Sequence, residues 1–175
     1  DGDLAADILL RKIKQGRRIR IVGDYDIDGV CSTYLLFQAL NRLGAWVDYE
    51  IPDRVKDGYG INEQIVQQAF EDKVDTILTC DNGISAVEQM ETAKSLGMTV
   101  IITDHHEIVK AEEREVIPRA DAVVNPKQSD CAYPWKEICG GMVAYKLIQI
   151  LYEKAGVSIE EWKDMMEFAA IATVG

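Results

Sequence analysis

The chain has 175 residues, of which 47% are hydrophobic, and its formal net charge is -11 at pH 7. That length suits one domain with an apolar core, and no apolar run reaches the roughly 20 residues of a membrane span. The sequence shows no secretory signal pattern, and its four cysteines, without a CxxC spacing, are typical of free thiols in the cytoplasm. The acidic balance disfavours a domain that binds nucleic acid through backbone charge alone. It leaves a solvated acidic surface and a cluster of metal-binding acids as open interpretations.

Short apolar segments alternate with amphipathic segments along the chain. Strands alternating with helices predict an α/β fold, a three-layer domain with a mainly parallel central sheet and helices on both faces. We expect one domain over residues 1–175. In chain order, the pattern predicts a strand at 20–23, a helix at 29–43, a strand at 46–51, a helix at 62–70 capped by Asn62, a strand at 74–80, a helix at 84–96, a strand at 98–103, a loop or short helix, a strand at 122–124, and helices at 141–155 and 158–173.

Polar side chains follow three of the predicted strands. Because the carboxyl ends of parallel strands meet at one edge of a sheet, we expect these side chains to lie close together. The first strand is followed by Asp24, Asp26 and Asp28, the third by Asp81 and Asn82, and the fourth by Asp104, His105 and His106.

The acidic motif DYDIDG places three carboxylates at a spacing of two residues. Such carboxylates repel one another unless a cation lies among them, and Gly29 permits a turn into a helix whose N-terminus favours anions. An acidic loop that caps a helix is the simpler alternative. A nucleophile of the haloacid dehalogenase type is a second alternative, although that pattern requires a threonine where Asp28 stands.

The Asp104-His105-His106 triplet contains both histidines of the chain. Neutral imidazole is a common metal ligand, and a neighbouring carboxylate either binds the metal or orients the ring. Carboxylates and histidine without cysteine suit Mn²⁺ or Mg²⁺ better than structural zinc. The alternatives are a polar loop here and, at Asp81-Asn82, a turn that caps the next helix.

In order and spacing, these motifs resemble the DHH phosphoesterase superfamily, named for the Asp-His-His triplet, and within it the RecJ-type single-strand-specific 5′ exonucleases. The similarity extends over almost the whole chain. The segments that carry it are GDYDIDG (23–29), IPDRVKDGYGIN (51–62), DNGIS (81–85), TDHHE (103–107) and residues 123–147.

The resemblance implies a phosphodiester hydrolase with a two-metal site for Mn²⁺ or Mg²⁺, acting on single-stranded DNA in repair and recombination beside other replication or repair proteins. Asp26 and Asp28 would each hold one ion, and Asp81 would bridge the two ions. His105 would be a further ligand, and His106 would contact the scissile phosphate or support a ligand. The catalytic set implied in this way is Asp28, Asp81, His105 and His106.

Asp24 is a further candidate metal ligand. Pyrophosphatase relatives of the superfamily carry a histidine four residues before the position of Asp26, and this chain has Val22 there. The resemblance therefore implies that Asp24 compensates for the missing histidine.

Several residues in the similar segments are candidates for substrate binding. Arg54 and Lys127 would contact phosphates, the backbone N–H groups of Gly140 and Gly141 at a helix start would hold another phosphate, and Tyr59 would stack on a base. The simpler alternatives are surface cations, an ordinary helix N-terminus and a packed loop tyrosine.

The resemblance also implies one more aspartate, shortly after an apolar stretch similar to ATVG, and a smaller C-terminal domain that helps to hold nucleic acid. The sequence reaches ATVG at Gly175, so we expect residues 1–175 to be a DHH catalytic domain without those parts, and the fragment to risk inactivity. Two other functions stay open: a phosphodiesterase for short oligonucleotides or cyclic dinucleotides, and a non-catalytic scaffold.

Overall fold

The computed structural model describes residues 1–53 and 60–175. Its helices are α1 (Gly2–Lys14), α2 (Ile27–Arg42), α3 (Glu63–Glu71), α4 (Val87–Ser95), α5 (Gly140–Ala155) and α6 (Met166–Val174), with 3₁₀ turns at Ile159–Glu161 and Lys163–Met165. Its strands are β1 (Arg18–Val22), β2 (Trp46–Glu50), β3 (Thr76–Cys80), β4 (Thr99–Thr103), β5 (Lys110–Ala111), β6 (Arg114–Glu115) and β7 (Ala122–Val124).

Five strands form one sheet in the order β2-β1-β3-β4-β7, and each neighbouring pair is parallel. The prediction of a mainly parallel central sheet is confirmed. Strand β2 lies on one side of β1, and β3 and the later strands lie on the other side, so the order of the strands reverses at β1. In parallel sheets ligands bind outside the carboxyl ends of the strands at such a reversal. Strands β5 and β6 form a separate antiparallel hairpin.

Helices cover both faces of the sheet, as predicted. Side chains alternate across each strand, so β1, β3, β4 and β7 each contribute to two apolar clusters. On one face Ile21, Leu78 and Ile101 belong to the cluster that contains the buried residues of α1, α2, α5 and α6. On the other face Ile77 and Val100 belong to the cluster of α3 and α4.

Helices α2 and α5 are joined directly within the first of these layers. The buried Tyr152 hydroxyl of α5 donates a hydrogen bond to the backbone oxygen of Ala39 in α2, at 3.1 Å. Burial raises the pKa of Tyr152 to about 12, so the hydroxyl stays protonated and remains a donor. The contact fixes the position of one helix relative to the other.

Some elements differ from the sequence-based expectations. Helix α1 was not predicted, although Ala5, Ile8 and Leu9 bury one face of it. The predicted helix at 84–96 begins only at Val87, after Gly83 with its φ of 108°. The predicted helix at 158–173 is interrupted by two 3₁₀ turns around Trp162, whose indole is buried against Tyr145 and Tyr152. Among the described residues, no helix is long and apolar enough to span a membrane.

Two arginines of β1 share one carboxylate at the edge of the sheet. Arg18 Nη2 lies 2.6 Å from Asp48 Oδ2, and Arg20 Nε lies 2.8 Å from Asp48 Oδ1. Burial is the largest influence on the Asp48 carboxyl and opposes its ionisation, but the hydrogen bonds from Arg20 and Arg18 outweigh it and lower the pKa.

We expect Asp48→Asn to lower the free energy of unfolding at pH 7 by about 2 kcal/mol, because it leaves the buried Arg20 without its main counter-charge. A lowered pKa contributes stability that is present above the ordinary aspartate value and is lost as the pH falls through the folded value. The difference between Asp48→Asn and the unaltered chain should therefore shrink below pH 3.8. Urea unfolding in EDTA at several pH values measures this difference in the free energy of unfolding. Asp7→Asn, in an exposed pair with Lys154, is the control and should change little; equal losses would contradict this account.

Candidate metal centre

Three loops bring acids and histidines together at the carboxyl edge of the sheet. Two groups have ligand atoms within 4.8 Å of one another: Asp24, Asp26 and Asp81 form one, and Asp81, His105 and His106 form the other. The predicted convergence of the three segments is confirmed. Asp81 belongs to both groups and lies at their junction. We call the candidate metal centre the set Asp24, Asp26, Asp28, Asp81, His105 and His106.

Asp81 is turned into the centre by an unusual backbone conformation. It follows β3 with a φ of 59°, in the left-handed region that costs a non-glycine residue of order 1 kcal/mol. Its backbone N–H still donates to the oxygen of Thr103 at 3.0 Å, so the turn begins at the sheet edge. Burial, more than any other influence, raises the pKa of Asp81 to about 6.

His105 lies between two carboxylates. Its Nε2 atom is 3.0 Å from Asp81 Oδ1 and 3.5 Å from Asp28 Oδ2. The hydrogen bond with Asp81 raises the pKa of the His105 imidazole above its usual value. The three atoms therefore face one small volume.

Asp28 is held by the N-terminus of α5. The backbone N–H groups of Gly140 and Gly141 donate to its Oδ2 and Oδ1 atoms, both at 2.7 Å. In this structure the carboxylate thus takes the N–H groups that the sequence analysis assigned to a phosphate, and the substrate role of the two glycines stays a prediction.

The same two positions require glycine for steric reasons. A Cβ atom on Gly140 would lie 2.6 Å from Asp81 Oδ1, and a Cβ atom on Gly141 would lie 2.5 Å from the Cβ of Ala172. A helix start can approach the carboxylates this closely only without side chains.

Asp26 and Asp24 form the other side of the centre. Asp26 caps α2 by accepting a hydrogen bond from the Gly29 N–H at 2.8 Å. Asp24 is only 1% exposed. Within the described part of the chain its two oxygens accept no well-formed hydrogen bond. Burial is the main reason that the pKa of Asp24 is raised, although the backbone of Tyr25 lies close enough to lower the pKa in part.

Asp104 orients His106. Asp104 Oδ1 lies 2.7 Å from His106 Nδ1 and also accepts the backbone N–H groups of His105 and His106, while Oδ2 accepts that of Ile84. Burial is the largest influence on Asp104 and opposes its ionisation, yet these hydrogen bonds together lower its pKa. Of the two roles left open for this carboxylate, the geometry supports orienting the ring.

Two buried asparagines fasten the loops of the centre. Asn82 donates to the backbone oxygens of Val22 and Cys80, at 3.0 and 2.9 Å, and so joins the ends of β1 and β3. Asn125 donates to the backbone oxygen of His106 at 3.0 Å and accepts the N–H of Lys127 at 2.8 Å. The sequence analysis assigned no role to Asn125. Its place directly after a predicted strand was the available signal.

The remaining candidates lie around the centre or outside the described residues. Lys127 Nζ lies 2.6 Å from Glu107 Oε1 and 3.3 Å from Glu137 Oε2, so its ammonium pairs with two acids. Its predicted contact with phosphate stays a prediction. Arg54 and Tyr59 lie outside the residues that the structure describes.

The donor set of this centre fits a divalent metal ion. Several carboxylates with oxygens within 4.8 Å repel one another, and a bound cation offsets that repulsion. The poorly bonded, buried Asp24 carboxylate is a second indication, because burying a carboxylate without partners is costly. Oxygen ligands with one or two imidazoles suit Mn²⁺ or Mg²⁺.

Comparison with known proteins agrees with this geometry. The chain is 43% identical over 170 residues to the single-stranded-DNA-specific exonuclease RecJ of Bacillus subtilis and 36% identical over 180 residues to that of Escherichia coli. These alignments cover 97% of this chain but only 20% and 30% of the two relatives, so the chain spans less than a third of their length.

Solved structures show the same fold. A crystal structure of exonuclease RecJ bound to manganese matches with a TM-score of 0.87 at 33% identity, covering 99% of this chain and 42% of that chain. RecJ of Thermus thermophilus in complex with Mn²⁺ matches with a TM-score of 0.80 at 31% identity, covering 98% of this chain and 23% of that chain. Residues 18–173 match the description "DHH family, N-terminal domain". The chain therefore belongs to the DHH family.

Proposed function

We propose that this chain is the catalytic domain of a Mn²⁺- or Mg²⁺-dependent exonuclease that degrades single-stranded DNA from the 5′ end. The observation that carries the proposal is the position of Asp81, which joins two potential metal-binding groups in one centre. The similarity to single-stranded-DNA-specific exonucleases supports the substrate. A role in DNA repair and recombination in the cytoplasm is part of the proposal, and the four free cysteines agree with a reducing compartment.

The geometry suggests a role for each ligand. Asp26 and Asp24 would hold one ion, and Asp28 and His105 the other, with Asp81 shared between them. Two ions held in this way would supply a bound water of lowered pKa and would offset the charge of the phosphate and of the leaving oxygen.

The chain's own groups would orient the substrate. Asp104 fixes the ring of His106 within the centre, where the imidazole would contact the scissile phosphate. The start of α5 holds Asp28 in position through two N–H groups, so it sets the geometry of one ion's ligand. Lys127, whose backbone N–H donates to the side-chain oxygen of Asn125, would contact a neighbouring phosphate.

Metal titration and a substrate panel test the proposal together. We expect titration calorimetry with Mn²⁺ to show two binding events, and the loaded chain to release mononucleotides from a long single strand labelled at its 5′ end. Duplex DNA, dinucleotides and cyclic dinucleotides should react far more slowly. Faster hydrolysis of the dinucleotides would favour the oligonucleotide phosphodiesterase, and absence of both metal binding and hydrolysis would favour the scaffold.

A further inference from the structure

Trp135 exposes more of its side chain than the other two tryptophans. It is 64% exposed, whereas Trp46 is 61% exposed and Trp162 only 3%. The guanidinium of Arg18 lies over the Trp46 ring at 5.6 Å. Within residues 1–53 and 60–175, no ring, cation or hydrogen-bond partner of Trp135 is found. Its indole face is therefore available to a ligand.

The loop that carries Trp135 is fastened on both sides. Lys136, the residue directly after Trp135, reaches back to the backbone oxygen of Cys131 at 2.5 Å and so fastens the segment before the tryptophan. After it, Glu137 pairs with Lys127, and the N–H of Gly140 donates to Asp28. A ring presented by a fastened loop loses less conformational freedom on binding than a ring on a free segment.

These contacts also limit how far Trp135 lies from the candidate metal centre. Gly140 touches Asp28 and is five residues further along the chain, a separation of at most about 18 Å. Lys127 links Glu137 to Glu107, the residue that follows His106. A few nucleotides of an extended strand bound at the centre would reach the indole.

The charge around this loop favours recognition by stacking. The chain carries a net charge of -11, and the nearby Lys127 is paired with two acids. Lys127 shares its charge with these acids and so has less to offer a backbone phosphate, whereas stacking between a base and an aromatic ring does not depend on charge. In a duplex the faces of the bases are covered by their neighbours, so an indole selects unpaired bases.

We infer that Trp135 is a base-stacking residue that binds an unpaired nucleobase of the substrate and so favours single strands over duplex. This inference rests on the proposed function and adds the residue that makes the distinction. It assigns a binding role to a position that the sequence analysis left without one.

The test compares Trp135→Ala, Trp135→Phe and Trp46→Ala. We expect Trp135→Ala to bind a short labelled phosphorothioate single strand about tenfold more weakly in fluorescence anisotropy with Mg²⁺. The loss should persist at high salt, because stacking is not screened. Affinity for duplex should not change, Trp135→Phe should recover most of the affinity, and Trp46→Ala should match the unaltered chain.

Indole fluorescence gives an independent measurement. Quenching by the strand should persist in Trp46→Phe and disappear in Trp135→Phe. Unchanged single-strand affinity in Trp135→Ala, or no binding by the unaltered chain, would overturn the inference. If the unaltered chain still hydrolyses the strand, the proposed function survives that result; if it hydrolyses no strand, the proposed function fails on its own account.

Discussion

Replacing Asp81 with asparagine is expected to reduce hydrolysis on the order of 1000-fold and to remove the strong binding of Mn²⁺. The amide cannot supply the negative oxygen shared by both ligand groups. The backbone should tolerate the change, because asparagine adopts the left-handed conformation more readily than most residues. Titration calorimetry and initial rates on a single strand measure the two effects.

The same substitution should stabilise the metal-free chain. The pKa of Asp81 is raised to about 6, mainly by burial, so its charged form opposes folding above that pH and its protonated form does not. We expect Asp81→Asn in EDTA to gain on the order of 1 kcal/mol at pH 8 and little at pH 4. Asp75→Asn, at the opposite end of β3, is the matched control and should bind Mn²⁺ normally. Full activity of Asp81→Asn would rule out the shared ligand.

Gly140→Ala is expected to reduce the hydrolysis rate about 100-fold while the fold persists. The added methyl group would lie 2.6 Å from Asp81 Oδ1, so either the carboxylate or the start of α5 must move. A displacement of about 1 Å at a catalytic group costs a factor of this size. Initial rates with saturating Mn²⁺ and circular dichroism of the same sample measure activity and fold.

The glycine that caps the C-terminus of α5 provides the control for this experiment. Gly156 follows the helix with a φ of 73°, and nothing lies within 4 Å of a Cβ atom added there. Gly156→Asn should leave the rate unchanged, because asparagine adopts this conformation at small cost. If Gly140→Ala kept the full rate, the close approach of α5 would have no catalytic importance.

Features that depend on neighbouring residues were predictable from the sequence. The apolar runs before Asp24, Asp81 and Asp104 predict strands whose ends carry acids, and a parallel sheet brings those ends together. Helix α1 could also have been found, since Ala5, Ile8 and Leu9 have helical spacing.

Other features depend on contacts between distant parts of the chain. Asp28 and Gly140 are 112 residues apart in sequence, and only the packing of α2 beside α5 brings them to 2.7 Å. Asn82 binds the carbonyl of Val22, and Asn125 binds that of His106. Both carbonyls are distant in sequence, so no local pattern indicates these contacts. The break of the last predicted helix follows from the burial of Trp162 between two tyrosines, which is a tertiary effect.

The hydrogen bond between Tyr152 and Ala39 has a consequence for how substitutions far from the chemistry would be detected. Asp28 belongs to α2 and Gly140 belongs to α5. A change in the angle between the two helices, which the Tyr152–Ala39 hydrogen bond joins, would therefore move the Asp28 carboxylate relative to the other metal ligands. A substitution in that apolar layer that shifts one helix by a fraction of an ångström would barely alter the melting temperature. It would instead weaken the affinity for the cation. Titration with metal ions would therefore detect a packing change in this domain more sensitively than the melting temperature does.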